Sequence, residues 1–373
     1  MWAAPLKCSP WHLHSLLPIW RQPTISRGKK LKIERKNSMY LISPNKKQYK
    51  ANLHCHSTLS DGKKTPEQLK EMYKRHGYSI LCISDHEYPK KHTDLTDDDF
   101  ILITGYESYI RPTHKYDAYN SEIHINFLSK DPDNAAMVCY DERYIKYAPR
   151  EIFEKFDRVG EENARVYSPE YINYMLKVAK ENGMIATYNH AYWSMEEEST
   201  ILAYDGFCSM EMCNYSSYNG NRLDYNAAIY DKMLCAGKRI ACHSADDNHN
   251  GAEEGTPACD SFGGFAMIMP ESFEYGAIVD AIEKGEMYSS MGPTFTVVSI
   301  EGNKVHIECS PVKHIAAFTG SKTPKRTRAP LDGFITSADL ELDDRAKYLR
   351  VSITDGEGKH ADTRGYFRDE LDF

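Results

Sequence analysis

Six short stretches of the chain carry residues that bind divalent cations: His54-Cys55-His56, Ser60-Asp61-Gly62, Ser84-Asp85-His86, Gly105-Tyr106-Glu107, Asn189-His190 and Asp246-Asp247-Asn248-His249. Mixed imidazole and carboxylate ligands suit manganese, iron and zinc, and one carboxylate can bridge two ions while its charge offsets theirs. Two or three dications held this way lower the pKa of a bound water to about 7, supply hydroxide as nucleophile and polarise the bond under attack. No serine or cysteine nucleophile is then needed. The spacing within His54-x-His56 and Asp247-x-His249 has period 2, which points both side chains of an extended segment to one side.

These residues need elements to converge, and apolar runs of strand length supply them. Asn52-Leu53 precedes His54, Ile80 to Ile83 precedes Ser84, Ile101 to Ile103 precedes Gly105, Ile185 to Tyr188 precedes Asn189, and Arg239 to Cys242 leads to Asp246. From Lys50 to about Pro293 such runs alternate with longer amphipathic segments, the pattern of repeated βα units. The spacing predicts strands over 50–56, 78–84, 100–105, 123–128, 184–188, 208–212, 239–242 and 264–269. Helices are expected over 169–182, 221–236 and 272–284, and Thr65, Pro66 and Gln68 supply the start of another that runs to about Gly77. In βα barrels the C-terminal strand ends and the following loops share one face, so distant segments can build one site. Residues 131–167 are polar, aromatic and weakly periodic, fitting either an excursion over that site or a surface insertion. After Pro293, short alternating runs at 295–300, 304–308, 314–318 and 348–354 predict a small antiparallel β unit.

Composition bounds the partners. With 41% hydrophobic and 27% charged residues, the 373-residue chain can bury a large core, and a formal charge of -8 argues against wrapping extended nucleic acid. Residues 1–38 depart from this acidity, with Lys7, Arg21, Arg27 and a Lys29 to Lys36 cluster against Glu34; a disordered leader is expected there, with Met39 as the natural start. The 10 cysteines lack C-x-x-C pairing, and Cys55, Cys82 and Cys242 sit inside apolar runs, so a reduced, cytoplasmic protein is expected. No apolar run approaches the roughly 18 residues of a membrane span. Oligomeric state is not legible.

Taken in order, the six motifs resemble those of the polymerase-and-histidinol-phosphatase (PHP) family over about two thirds of the chain. The resemblance implies an α/β fold, a distorted (β/α)7 TIM-like barrel over 39–293, followed by the β-rich, sandwich-like domain at 294–373. It also implies two to three divalent metal ions, manganese, zinc or iron. Carried over by position, His54, His56, Glu107 and Asp247 would hold one ion, with Glu107 bridging to a second held by His124 and His190. Asp61, which stands where many relatives have histidine, would join His86 and His249 around a third. The implied reaction is phosphoester hydrolysis by a metal-bound hydroxide, releasing phosphate from a small phosphorylated metabolite, nucleotide or oligonucleotide end. Asp260 to Gly264 and Tyr288 to Pro293 resemble the carbamate- and ester-cleaving branch of the superfamily, so carboxylic or carbamic ester hydrolysis is the alternative. A non-catalytic, metal-stabilised binding module is a third reading.

Proton delivery to a leaving group falls to an imidazole not fully committed to metal, with His249 and His243 as candidates. Arg222 and Arg111 are candidates for gripping phosphate, because a guanidinium matches its oxygens in a fork. Asn214 and Glu211 end a strand-like run and are candidates for substrate contact or for orienting ligands. His76, His92, His114, His306, His314 and His360 are read as surface or hydrogen-bonded residues.

Overall fold

Thr65 and Gln68 exchange hydrogen bonds, Gln68 N to Thr65 Oγ1 at 3.3 Å and Thr65 N to Gln68 Oε1 at 3.0 Å, so the first helix starts at Pro66. This helix, α1 (Pro66–Arg75), buries Leu69 and Tyr73 and gives way to Gly77, whose φ of +74° suits glycine. The structure, a computed structural model, describes residues 38–113 and 121–371. The leader expected over 1–38 therefore lies, Ser38 apart, outside the described residues, as does His114.

The strands are β1 (Met39–Ile42), β2 (Tyr49–Asn52), β3 (Ile80–Cys82), β4 (Ile101–Ile103), β5 (Gly105–Ile110), β6 (Ile123–Ser129), β7 (Met137–Val138), β8 (Arg158–Val159), β9 (Met184–Tyr188), β10 (Ser209–Asn214) and β11 (Ala241–Ala245). They continue as β12 (Phe265–Ile268), β13 (Met287–Ser290), β14 (Phe295–Glu301), β15 (Lys304–Val312), β16 (His314–Phe318), β17 (Lys325–Arg328), β18 (Ile335–Glu341), β19 (Tyr348–Thr354), β20 (His360–Thr363) and β21 (Tyr366–Phe367). The remaining helices are α2 (Arg150–Phe153), α3 (Pro169–Glu181), α4 (Glu198–Ala203), α5 (Tyr215–Gly220), α6 (Ala227–Cys235) and α7 (Tyr275–Lys284).

Two sheets carry the site. In one, β2, β3 and β4 run parallel, with β12 antiparallel to β2; in the other the order is β11-β10-β9-β6-β5. The chain steps from the first sheet to the second between Ile103 and Gly105, and an isolated parallel bridge joins His86 to Glu107 across the same seam. At the opposite seam β11 meets β13 through side chains, Ser244 Oγ lying 2.7 Å from Ser289 Oγ.

The fold is thus mixed α/β, and where a distorted (β/α)7 TIM-like barrel is expected the described residues form several sheets that do not close into a barrel. Strand β6 is antiparallel to both β5 and β9, and β12 is antiparallel to β2 and β13. Residues 111–122 join β5 to β6, and the two strands pair along their length in antiparallel register, Gly105 opposite Leu128 and Ile110 opposite Ile123, so the chain folds back on itself where a βα unit would cross over. Among the described residues only α1, α3, α6 and α7 reach nine residues or more, too few helices for seven βα units. The helix expected from Asn221 begins at Ala227, because Arg222 takes a φ of +66° and Leu223 N bonds Asn221 Oδ1, forming a turn. The strand expected over 239–242 lies at Ala241–Ala245 and so includes His243.

Beyond the site, β14, β15 and β18 form an antiparallel sheet that also takes up β1, while β20, β19, β16 and β17 extend the first sheet from β13. Ile42, Val298, Ile307, Ile315, Val351 and Ile353 pack between them. Ladders therefore cross position 293 twice, at β1–β14 and at β13–β20. Within residues 131–167, β7 and β8 pair in parallel and Met137, Val138 and Cys139 enter the main core. Among the described residues no helix is long and apolar enough to cross a membrane.

Candidate metal centre

Past the ends of β2 and β11 the two segments run side by side, Asp247 N donating to the His54 carbonyl at 2.9 Å and His56 N to the Asn248 carbonyl at 3.1 Å. This isolated parallel bridge, centred on Cys55 and Asn248, sets the alternating side chains against each other. His54 Nε2 and His56 Nε2 lie 3.1 and 3.0 Å from Asp247 Oδ1, and the His249 ring stacks on His56 at 4.4 Å. Asp247 (φ +52°), His190 (φ +24°) and Glu87 (φ +48°) all take left-handed backbone conformations that non-glycine residues hold only when the surroundings over-determine them.

Glu107 stands at the centre, buried. Its Oε1 lies 3.1 Å from His54 Nε2, 3.0 Å from His124 Nδ1 and 3.6 Å from His190 Nε2; its Oε2 lies 3.0 Å from His86 Nδ1 and 3.5 Å from His56 Nε2. On the rim Asp61 Oδ1 is 3.4 Å from His249 Nε2, and Asp61 Oδ2 is 3.7 Å from His86 Nε2. All nine residues proposed as ligands from the sequence are thus brought together. They fall into four overlapping donor groups: His54, His190 and Asp247; His54, His56 and Glu107; His86, Glu107 and His124; and His56, Asp61, His86 and His249.

The donor set fits divalent cations. Neighbouring ligands of an ion bound at about 2.1 Å stand roughly 3.0 Å apart in an octahedron and 3.4 Å in a tetrahedron, the range of the His54, His56, Glu107 and Asp247 separations. His54 Nε2 and His56 Nε2, 3.2 Å apart, both aim at the same carboxylates. His86 Nδ1, Glu107 Oε2 and His124 Nε2 are buried with no hydrogen bond of good geometry in the protein, an arrangement that a cation resolves. Glu107 offers its two oxygens to two different sets of imidazoles, as a bridging carboxylate must.

An outer layer orients these donors. Glu211, fully buried, accepts from His54 Nδ1 at 2.7 Å, which turns His54 Nε2 to the centre, and from the His190 backbone N at 2.8 Å. Asn214 donates to Glu211 at 3.0 Å and to Asp247 Oδ2 at 3.2 Å; it is buried and acts on the ligands, away from the cavity. Asp85 accepts from Ser57 N, Ser57 Oγ and Ser60 Oγ at 2.6 to 2.7 Å, shaping the loop that carries Asp61. At Gly62 in that loop a Cβ would stand 2.2 Å from the His56 carbonyl oxygen, so only glycine fits. Asp246 accepts from the backbone N–H groups of Phe262, Gly263 and Gly264 and from Tyr73 OH, and burial pushes it up to about 7.

A cavity of about 360 Å³ opens over the cluster, lined among others by Tyr109, Arg111, Lys146, Tyr147, Trp193 and His249. His249, its side chain 34% exposed, is the most open of the clustered imidazoles. His243 is not brought to this cavity: it is fully buried, its Nδ1 2.8 Å from Ser209 Oγ and its Nε2 unpartnered. Arg222 does not line it either; its guanidinium lies over the Tyr218 ring at 4.7 Å. Lys146, Tyr147 and Trp193 escaped the sequence reading because lysine and aromatic residues on loops carry no ligand spacing. Glu122, 3.3 Å from His124 Nε2, was detectable only as the first residue of a Glu-x-His pair at a strand start.

Charge distribution follows from this packing. Burial lowers the His54 imidazole, but Asp247, Glu107 and Glu211 overcome that and hold it well above its ordinary value. Against the same burial, Glu107 and Glu122 lift His124 to about 10, and Asp61 and Asp247 lift His249 to about 9. His56, facing His86 and His249, is driven down to about 4 by burial and those neighbours. The imidazoles around Glu107 hold it well below the usual carboxylate range despite its burial. Bound dications would take over the neutralisation that protons otherwise supply.

No family model matches the chain, and no curated protein matches it. Among solved structures, it is similar to a Bacteroides vulgatus two-domain protein containing a predicted PHP-like metal-dependent phosphoesterase, at 11% identity and a TM-score of 0.40, over 89% of this chain and 99% of that one. It is also similar to an amidohydrolase from Chromobacterium violaceum with bound sulfate and no metal, at 16% identity and a TM-score of 0.36, over 56% of this chain and 93% of that one. A candidate metal-dependent phosphoesterase from Bifidobacterium adolescentis gives 15% identity and a TM-score of 0.35, over 56% and 91%.

Proposed function

We propose that the protein is a PHP-type metal-dependent hydrolase, a phosphoesterase that releases phosphate from a small phosphorylated metabolite, nucleotide or oligonucleotide end. One observation carries this reading: a single buried carboxylate, Glu107, faces five imidazoles with its two oxygens divided between them. When bound, two or three ions of manganese, zinc or iron would lower the pKa of water and polarise the scissile bond.

The remaining work belongs to the chain's own side chains. His54, His56, Glu107 and Asp247 hold the core of the cluster, His124 and His190 close it on one side, and Asp61, His86 and His249 close it on the other. Arg111 and Lys146, on the cavity wall, supply positive charge for an anionic substrate and favour phosphate over a neutral ester. Where the outer position holds no ion, His249 Nε2 at the open rim is free to carry a proton and hand it to a departing alkoxide. The cavity volume matches a small metabolite or one nucleotide.

The test is turnover by the manganese-loaded protein on a panel of phosphomonoesters, phosphodiesters and carboxylic or carbamic esters. Phosphate release supports the proposal. Hydrolysis confined to the carbon esters overturns the phosphoesterase reading while keeping the metal centre, and metal binding without turnover of any class points to a binding module.

A further inference from the structure

The segment between β6 and α3 brings two side chains to the cavity, Lys146 and Tyr147, and the manner of its attachment is unusual. Arg165, near its end, is buried with its guanidinium spread over Glu87: Nη2 reaches Oε2 at 2.9 Å, Nη1 bonds Oε1, and Nε donates to the Cys139 carbonyl at 2.8 Å. Glu87 follows His86 directly, holds a left-handed backbone, and also accepts from Ser108 Oγ at 2.9 Å and Tyr109 N at 3.1 Å. One buried ion pair therefore ties three things together: the segment, the loop that carries His86, and the strand that carries Glu107.

The same segment acts on the rim of the cluster. The Tyr147 hydroxyl donates to Asp61 Oδ2 at 3.1 Å, and its ring stacks on His86 at 6.0 Å with planes 21° apart. Asp61 and His86 belong to the outermost donor group, with His56 and His249. Asp61 has one oxygen toward His249 Nε2 and the other toward Tyr147, so its orientation is set by a residue 86 positions away in sequence. A second buried carboxylate, Asp141, stiffens the segment by accepting from Arg143 and from Arg165 N.

We infer that Tyr147 and Arg165 are positioning residues: Arg165, through Glu87, seats the 131–167 segment against the His86 loop, and Tyr147 from that segment orients Asp61 to complete the outer donor group of His56, Asp61, His86 and His249. The inference rests on the metallohydrolase reading but concerns only one of the ion positions. Loss of an outer-layer partner weakens metal affinity by about 10- to 100-fold. Tyr147 is itself partly exposed and its ring stays in Tyr147→Phe, so the fold has no need of its hydroxyl.

The experiment is a manganese titration of the full chain, reading free Mn(II) by its paramagnetic resonance signal. Tyr147→Phe is expected to weaken the loosest of the bound ions about tenfold and leave the others unchanged. The paired replacement Glu87→Leu with Arg165→Met, which removes both buried charges together, is expected to weaken the same ion, and adding Tyr147→Phe to it should give little further loss because both act on Asp61. Unchanged binding in Tyr147→Phe, or losses that multiply in the combined variant, overturns the inference alone. A parent protein that binds no manganese overturns the metallohydrolase reading and this inference with it. If the paired variant does not fold, Tyr147→Phe decides the matter by itself.

Discussion

Cys55 and Asn248 face each other in a parallel bridge, and each is flanked on both sides by candidate metal ligands, His54 and His56 on one strand and Asp247 and His249 on the other. Two segments separated by almost 200 residues thereby act as one surface for imidazoles and carboxylates. Asn248 is held from behind, its Oδ1 accepting from Tyr73 OH at 2.7 Å, while the same hydroxyl contacts Asp246 Oδ2 at 2.7 Å. The hydroxyl has one proton for these two oxygens and itself accepts from Asn52 Nδ2 at 2.9 Å, so Tyr73→Phe removes one donor and one acceptor from a buried network and is expected to cost about 1–3 kcal/mol of stability. Denaturant unfolding measures it; a midpoint equal to the parent's contradicts the role given to the hydroxyl.

Glu107→Gln keeps the side-chain shape and removes the charge that faces five imidazoles. The folded protein should survive, because the neighbouring imidazoles can lose their protons, whereas bound metal should fall by at least one ion per chain and turnover by 10³-fold or more, on the order expected when a metal-assisted step is lost. Elemental analysis after gel filtration gives the stoichiometry. Full occupancy in this variant would count against a bridging carboxylate.

Glu211 never reaches the cavity, yet it fixes which nitrogen of His54 faces inward. Glu211→Gln should lower metal affinity by about 10- to 100-fold with the stoichiometry at saturation unchanged. Isothermal titration separates these two quantities.

Glu196 is buried and accepts from Tyr167, Tyr188 and Tyr204 hydroxyls at 2.7, 2.6 and 2.5 Å. Burial nonetheless raises its carboxyl above the ordinary value of 4.5. The folded state then holds this proton more tightly than the unfolded state does, so the group's contribution is fully present below the unfolded value and declines as pH rises through the folded one. The stability difference between the parent and Glu196→Gln should therefore shift against the parent as pH rises from about 4.5 toward neutrality. A difference that is flat with pH would show that the three hydroxyls fully offset burial.

Arg350, fully buried, bridges Asp362 on β20 at 2.6 Å and Asp231 on α6 at 2.7 Å. Removing it in Arg350→Met strands the buried Asp362 carboxylate, and the expected loss is about 3–5 kcal/mol. Replacing Asp362 by Asn in the same chain should recover part of that loss, which thermal or chemical unfolding can read.

Most of the donor set was legible in the chain because ligand-type residues at the ends of apolar runs survive as local patterns: His54-x-His56, Asp85-His86, Glu107 and Asp247-x-His249 all stand directly past or within strands. The capping box at Thr65 was legible for the same reason, since its partners are three residues apart. Strand direction was not. The apolar run that forms β6 reads the same whether it lies parallel or antiparallel, and only its pairing with β5 and β9 decides it.

The sequence by itself determined which residues could serve as metal ligands, because side-chain type and near-neighbour spacing are properties of the chain. Tertiary structure alone decided how they are shared: that Glu107 divides its oxygens between two sets of imidazoles, that His243 stays beneath the site, and that Tyr147 and Arg165 belong to it. These relationships join segments up to 86 residues apart, and their distances follow from the packing of two sheets rather than from any local periodicity.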